Sequence, residues 1–437
     1  MHRKISEYIY DYLKKDNSHI LCIDGARQIG KTYIIREVGT KLFENYAEIN
    51  LADDFIGDKY FANVNSLDSF YLALGSVAGE KLKNRDNTLV FLDEIQVYPA
   101  LFSLLKTINR DNRYKYICSG SEFGITIKRC DFIPMGSIIE KKMYPMDFEE
   151  FLLANSVGEN VIHYLKDCYE KRKEVKGSIH ERIMRLFKLY LLIGGMPGAV
   201  KEYFDSRNIY KVRELQNDLI RQYGDNASKY DQTNRLKIKR IYDLIPSNIE
   251  NKVKRLKFKD IEGKESDRYL TYVDEFDYLL SSGIALGAKG ISEPRFPLVQ
   301  SSNKNLIKLY MNDVGLLTSL LYKTNTLAIL NDMANVNLGA VYETVVAEEL
   351  LSHDHQLFYY DRRNVGEVDF LIDNFNTLSV LSLEIKSGKD CRNARALPKL
   401  VSNGNNLIKD GYVLSNDNKI CQDGKICYLP IYDIMFI

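Results

Sequence analysis

The stretch HILCIDGARQIGKTYIIREV, residues 19–38, sets an apolar run against a helically spaced one, with a glycine-lysine loop between them. The loop fits G-x-x-x-x-G-K-[ST] at every fixed position: Gly25, Gly30, Lys31 and Thr32. In that arrangement the backbone from Gly25 through Ala26, Arg27, Gln28 and Ile29 to Gly30 surrounds phosphates with N–H groups. Lys31 reaches the β/γ-phosphates and Thr32 places its hydroxyl on Mg²⁺. A strand before and a helix after is the context such a cradle needs, because the helix N-terminus adds its own free N–H groups. Two glycines in eight residues also arise by chance, as a turn with an exposed lysine. A second signal has to decide.

That signal is TLVFLDEIQ, residues 88–96. Leu89 to Leu92 read as a buried strand ending in Asp93-Glu94, and the carboxyl end of a strand is where open α/β sheets bind ligands. Asp93 is placed to hold Mg²⁺, and Glu94 to orient or activate the attacking water. A third strand, YKYIC, ends in Ser119-Gly120-Ser121, where the Ser119 hydroxyl can reach a γ-phosphate or the lytic water. Small residues there are also ordinary turn formers. With both main motifs in order and strands flanking each, the sequence predicts a site for ATP and Mg²⁺.

Working outward, strands HILCIDG, YAEINLA, TLVFLDE and YKYICSG alternate with helical segments such as PALFSLLKTI, the pattern of a parallel sheet covered by helices. From about 146 to 230 the chain turns helical; Gly194-Gly195 ends one helix and Pro197 suits the first turn of the next. Residues 231–320 combine basic helices with an expected hairpin, ALGAKGISEPRFPLVQ. From about 336 the pattern is helix, three strands, helix. At 437 residues two or three domains are expected. Lys plus Arg, 60, nearly balances Asp plus Glu, 59, so nucleic-acid binding must come from local patches. Seven cysteines without a CxxC pair argue against a zinc ribbon or a disulfide framework. The opening MHRKISEYIYDYLKK lacks the apolar core of a signal peptide, and no apolar stretch is long enough to span a membrane. A cytoplasmic location and no membrane partner are expected.

In their order along the chain, Arg3, GARQIGKT, LVFLDEIQ, SGS, YPMDFEEF, GGMP, YMNDVGLL, GAVYE, GEVDFL and LEIKSG resemble the bacterial and archaeal AAA-type ATPases that carry a C-terminal domain of unknown function with a restriction-endonuclease-like core. The resemblance covers nearly the whole chain. It implies an α/β P-loop NTPase domain over 1–145, a helical lid over 146–230, a winged-helix-like domain over 231–325 and a PD-(D/E)XK-like α/β domain over 326–437. One departure stands out. Where the family has a Gly-Arg pair after the sensor strand, this chain reads Met135-Gly136-Ser137. If that arginine acts as a finger or stabilises an interface, Arg27, Arg110, Arg113 and Arg129 are the substitutes to consider, and loss of a finger lowers hydrolysis more than binding.

Between Arg235 and Lys259 nine Lys or Arg residues (235, 237, 239, 240, 252, 254, 255, 257 and 259) face two acids, Asp243 and Glu250. On a winged helix such a cluster gives salt-sensitive DNA binding; as a solvated helix face it pairs with acids elsewhere. DNA and a homo-oligomer are therefore candidate partners. The last segment offers a second site. Glu343 lies on the helix GAVYETVVAEELL, Asp369 on GEVDFLID, and Glu384 and Lys386 two apart on VLSLEIKSG, so that they share one face. Asp369 and Glu384 supply hard oxygen ligands for Mg²⁺ or Mn²⁺, and Lys386 can orient water. The set resembles the PD-(D/E)XK nuclease pattern, which is also retained by modules that only bind.

Overall fold

The computed structural model describes residues 1–437 apart from 16, 122, 125, 127–133, 135, 231–234, 251–258, 263–268, 331–337, 389–394 and 403–407. Strand β1 (Ile20–Asp24) buries all of its residues, as an apolar run does when helices cover both faces of a parallel sheet. β2 (Asn45–Asn50) buries only Ala47 and Ile49, the mark of an edge. β3 (Thr88–Asp93) is buried throughout, β4 (Lys115–Gly120) nearly so, and β5 (Ile138–Lys142) is another half-buried edge. They form one parallel sheet in the order β2-β3-β4-β1-β5. The register pairs Asp24 with Gly120 and Leu92 with Cys118, so Asp24, Asp93 and Ser119 end their strands on one edge.

Local chemistry fixes the helices between these strands. Ser66 and Ser69 make a reciprocal cap at the start of Leu67–Ala78. Pro99 opens Pro99–Asp111, and Asn112 closes it in the left-handed region. The core between sheet and helices includes Ile49, Phe70, Leu92, Phe102 and Leu105.

Residues 1–144 with 281–283 form one compact unit and residues 145–280 with 284–437 another. The second unit begins with helices. Asp147 caps Phe148–Ala154 in a capping box with Glu150. As expected, Gly194, at φ 73°, ends Gly177–Ile193, and Pro197 opens Pro197–Ser206. A β-carbon on Gly195 would lie 2.0 Å from the Met146 carbonyl oxygen. Asp313 accepts the Gly195 N–H at 2.6 Å and caps Val314–Tyr322 through the Leu316 N–H. Burial pushes the Asp313 carboxyl up to about 6. The buried Arg213 guanidinium gathers the Leu192 and Gly315 carbonyls and the Thr318 hydroxyl at 3.0–3.2 Å.

This unit also holds an eight-stranded sheet. Its strands are β6 (Ala285–Ile291), β7 (Ser302–Met311), β8 (Phe358–Arg362), β9 (Gly366–Asn374), β10 (Ser379–Ile385), β11 (Ile408–Ser415), β12 (Cys421–Asp423) and β13 (Ile426–Pro430), in the order β12-β13-β11-β10-β9-β8-β6-β7. β8, β9 and β10 form an antiparallel meander, and β11 returns parallel to β10 after the helix Ala396–Ser402. The hairpin differs from expectation. Its second strand starts at Ser302 rather than within ISEPRFPLVQ, where Pro294 and Pro297 lack the N–H that a ladder needs. Its first strand pairs with β8, so both arms belong to the sheet of the last segment, and the expected boundary at 325–326 falls inside one unit. Among the described residues no single helix is long and apolar enough to cross a membrane.

Candidate nucleotide site

The loop from Gly25 to Gly30 leaves the carboxyl end of β1 and enters the helix Lys31–Leu42. Gln28 and Gly30 take positive φ, 64° and 94°, which turns the chain tightly enough to aim successive N–H groups at one point. Gly25 has no room for a side chain: a β-carbon there would meet the Met143 carbonyl oxygen at 2.3 Å. Ala26 and Ile29 are buried, Arg27 is half-buried and Gln28 is exposed.

Lys31 is 5% exposed, and its ammonium donates to the Gly25 and Ala26 carbonyls at 2.9 and 2.8 Å. Burial lowers its pKa from the usual lysine value, while Glu94, Asp24 and Asp93 pull it back up. Thr32 Oγ1 donates to Asp93 Oδ2 at 2.8 Å, and the Ser119 hydroxyl donates to Asp93 Oδ1. Burial raises the Asp93 carboxyl, and these two hydroxyls act against it. The structure thus brings together Lys31, Thr32, Asp93 and Ser119. Thr32 and Asp93 form the hard-oxygen pair that suits Mg²⁺.

Glu94 stands in the left-handed region at φ 56°, unusual for a residue with a side chain, and the Gln96 amide donates to its carboxylate. Gln96 also reaches Ser121 Oγ at 3.3 Å, so it links the carboxylate strand to the Ser119–Ser121 turn. In the sequence, the place of Gln96 two residues after Glu94 is the signal for this contact. Asp24, at the end of β1, is a second buried carboxyl at this edge, pushed up to about 6 by burial and then by Glu140.

Two of the substitute arginines are placed elsewhere. Arg110 lies in the last turn of Pro99–Asp111 and Arg113 just ahead of β4, at the amino end of a strand whose Ser119 lies about 13 Å further along. Arg113 lies over the Tyr71 ring at 4.1 Å. Arg27 lies within the loop, and Arg129 and Met135 lie outside the described residues.

In the second unit, the β9–β10 register pairs Phe370 with Leu383 and so puts Asp369 beside Glu384. Asp369 accepts the Ile385 N–H at 2.8 Å. Glu384 pairs with Lys386 at 2.7 Å and accepts the Leu397 N–H at 3.2 Å. Burial raises the Glu384 carboxyl; Lys386 lowers it and Asp369 raises it further. Glu343, 2% exposed, accepts from the Tyr310 hydroxyl at 3.5 Å. Burial first, then Glu343 and Asp369, hold that hydroxyl well above its usual pKa. Lys308, two residues before Tyr310 on β7, is buried and paired with Glu367. Neither β7 residue is legible from the sequence, because their strand lies far from the E-x-K run in the chain. Of the basic segment, Lys252, Lys254, Arg255 and Lys257 lie outside the described residues. Lys237 pairs with Glu262 at 3.6 Å and Lys239 with Asp225 at 3.6 Å.

A phosphate loop after β1, a carboxylate on β3 and a hydroxyl on β4, in a parallel sheet ordered β2-β3-β4-β1-β5, give the arrangement of a P-loop nucleotide-binding domain. Comparison agrees: residues 17–152 match the family described as "AAA domain". Residues 184–327 match "Domain of unknown function (DUF8612)" and residues 338–434 "Domain of unknown function (DUF4143)". Among curated proteins nothing matches the chain. Solved structures similar to it include a Walker-type ATPase of Pyrococcus abyssi, at 15% identity and TM-score 0.44, over 73% of this chain and 95% of that one. The Orc1 protein of Aeropyrum pernix in complex with DNA aligns at 12% identity and TM-score 0.30, over 75% of this chain and 92% of that one. DnaA of Aquifex aeolicus bound to AMPPCP aligns at 12% identity and TM-score 0.28, over 55% and 78%.

Proposed function

We propose that the chain binds ATP with Mg²⁺ at Gly25–Thr32 and hydrolyses it, and that nucleotide state governs its action on or with DNA. The observation that carries the ATP reading is the pair of hydroxyls, Thr32 and Ser119, that converge on Asp93 beside the buried Lys31. When bound, Mg²⁺ would be held through Thr32 and Asp93 and would neutralise charge on the phosphates. Lys31 would exchange its loop carbonyls for phosphate oxygens. Glu94, fixed by Gln96, would take the proton of the attacking water, and Ser119 would sense the γ-phosphate. The DNA part is supported by the order of helices Arg235–Glu250, Lys259–Glu262 and Val273–Ser281 followed by the β6–β7 hairpin, which fits a winged helix, and by the basic content of 235–259. The test is an ATPase assay with and without single- and double-stranded DNA. Stimulation that fades with salt is expected; a slowly hydrolysed nucleotide with no DNA response would favour a protein-directed switch instead.

A second reading rests on the C-terminal unit. The helix acid Glu343, the Asp369–Glu384 pair and Lys386, on a helix-strand-strand-strand-helix-strand order, support a PD-(D/E)XK-like site using Mg²⁺ or Mn²⁺. Incubation of plasmid DNA with either metal tests whether it cuts.

A further inference from the structure

A buried guanidinium at the start of the chain belongs to no role assigned above. Arg3 is 5% exposed. One of its terminal nitrogens donates to the Ile29 carbonyl at 3.1 Å and the other to the Tyr144 carbonyl at 2.6 Å. Its own backbone is anchored, since its carbonyl accepts the Ser6 N–H at 2.9 Å and the Ser6 hydroxyl at 2.6 Å. The fork therefore joins the first helix, Lys4–Lys14, to the phosphate loop and to the segment after β5.

Ile29 is the residue before Gly30, and the peptide between them is planar and trans, so its carbonyl and the Gly30 N–H point in opposite directions. Holding the Ile29 oxygen toward Arg3 turns the Gly30 N–H to the other side, the side on which a phosphate cradle needs its donors. The same segment braces the loop's other end: the Met143 N–H donates to the Asp24 carbonyl at 2.8 Å, and the Met143 carbonyl stands against Gly25. Both ends of the loop are thus fixed on residues 143–144, one through direct backbone contact and one through Arg3. Lysine would substitute only in part, because a single ammonium on a flexible stem lacks the planar fork that holds these two carbonyls in a fixed direction.

We propose that Arg3 is a positioning residue for the phosphate loop, which orients the Ile29–Gly30 peptide so that the Gly30 N–H meets a nucleotide phosphate. This rests on the reading of the loop as a nucleotide site. The experiment uses the full chain and three variants, Arg3→Lys, Arg3→Met and Ser6→Ala. Calorimetric titrations use ADP and, as a phosphate-only probe, inorganic pyrophosphate, with thermal unfolding of each variant alongside. Arg3→Met should weaken both ligands at least tenfold and Arg3→Lys by an intermediate factor. In turnover assays KM should rise more than kcat falls. Ser6→Ala removes the hydroxyl bond to the Arg3 carbonyl without touching the loop; it should lower the melting temperature and leave both affinities within twofold of the parent. If Arg3→Met and Arg3→Lys bind as the parent does, or if Ser6→Ala loses the same affinity, Arg3 is only an anchor for the first helix. A parent that binds neither ligand removes the nucleotide reading itself.

Discussion

Lys31 shows how one residue carries both a fold and a chemistry. Its ammonium is buried and offset by the Gly25 and Ala26 carbonyls, groups that can release it to a more negative partner. Lys31→Ala should therefore abolish ATP binding, while Glu94→Gln should keep binding within about threefold and lose most turnover, since it acts on the transition state. Fluorescent-nucleotide titration with a phosphate-release assay separates the two effects. Unchanged affinity in Lys31→Ala would sink the loop assignment. Asp24 offers a pH test. Its carboxyl lies near 3.9 when unfolded and about 6 when folded, raised by burial and then by Glu140 against Lys142, the Phe123 N–H and Lys31. Between those values the folded chain keeps a proton that the unfolded chain has lost, so this contribution to stability is full below about pH 4 and declines as pH rises to about 6. Asp24→Asn should consequently stabilise the protein at pH 7.5 by on the order of 3 kcal/mol and gain almost nothing at pH 4. Urea unfolding at the two pH values reads this directly, and a variant no more stable at pH 7.5 would show that pairing with Lys31 and Lys142 outweighs burial.

At the scale of elements, what could be read from the sequence depended on how continuous each signal was. β1 and β3 announced themselves because a doubly covered parallel strand must be apolar at every position, as Ile20–Ile23 and Leu89–Leu92 are. β5 escaped because its IIEKK run is half solvent-facing, and charge at Glu140 to Lys142 reads as loop. β12 escaped because a three-residue strand, CQD, has no period to detect. The Asp369, Glu384 and Lys386 set was visible from spacing along two neighbouring strands. The β7 residues Lys308 and Tyr310 were not, since only pairing in space brings them to Glu367 and Glu343. Gly194-Gly195 was legible as a helix end, yet its tighter constraint lies in Met146 and Asp313, more than 45 and 115 residues away in sequence. Gly195→Ala would place a methyl group 2.0 Å from the Met146 oxygen, so backbone must shift. A loss of roughly 3 kcal/mol or more is expected, measured as a drop in the urea midpoint. Gly198→Ala, with open space at its β-carbon, is the control and should change stability by less than about 0.5 kcal/mol.

For the whole molecule, ATP chemistry and the C-terminal site can be tested for connection without assuming how the two units are arranged. If the C-terminal site cuts, Mn²⁺-dependent cleavage should disappear in Asp369→Ala and in Lys386→Ala while ATP affinity stays at the parental value. Cleavage that persists in both variants would mark a contaminant. A chain that binds no metal there and cuts neither DNA nor RNA keeps the domain as a recognition module. DNA affinity itself should fall with salt, and joint charge reversal at Lys252, Lys254, Arg255 and Lys257 should lower the slope of log affinity against log salt by roughly 3–4 units if all four contact phosphates. The decisive measurement is the coupling. Thermodynamic linkage requires that the factor by which ATP changes DNA affinity equal the factor by which DNA changes ATP affinity. With Glu94→Gln holding ATP unhydrolysed, both arms can be titrated at equilibrium at one salt concentration. A nucleotide-driven machine should show the same factor in both directions, about fivefold or more, the lower range of known couplings. A factor of one in both arms would mean that the ATP site and the DNA site share a chain without sharing an equilibrium, and the proposed action on DNA would then have to be given up.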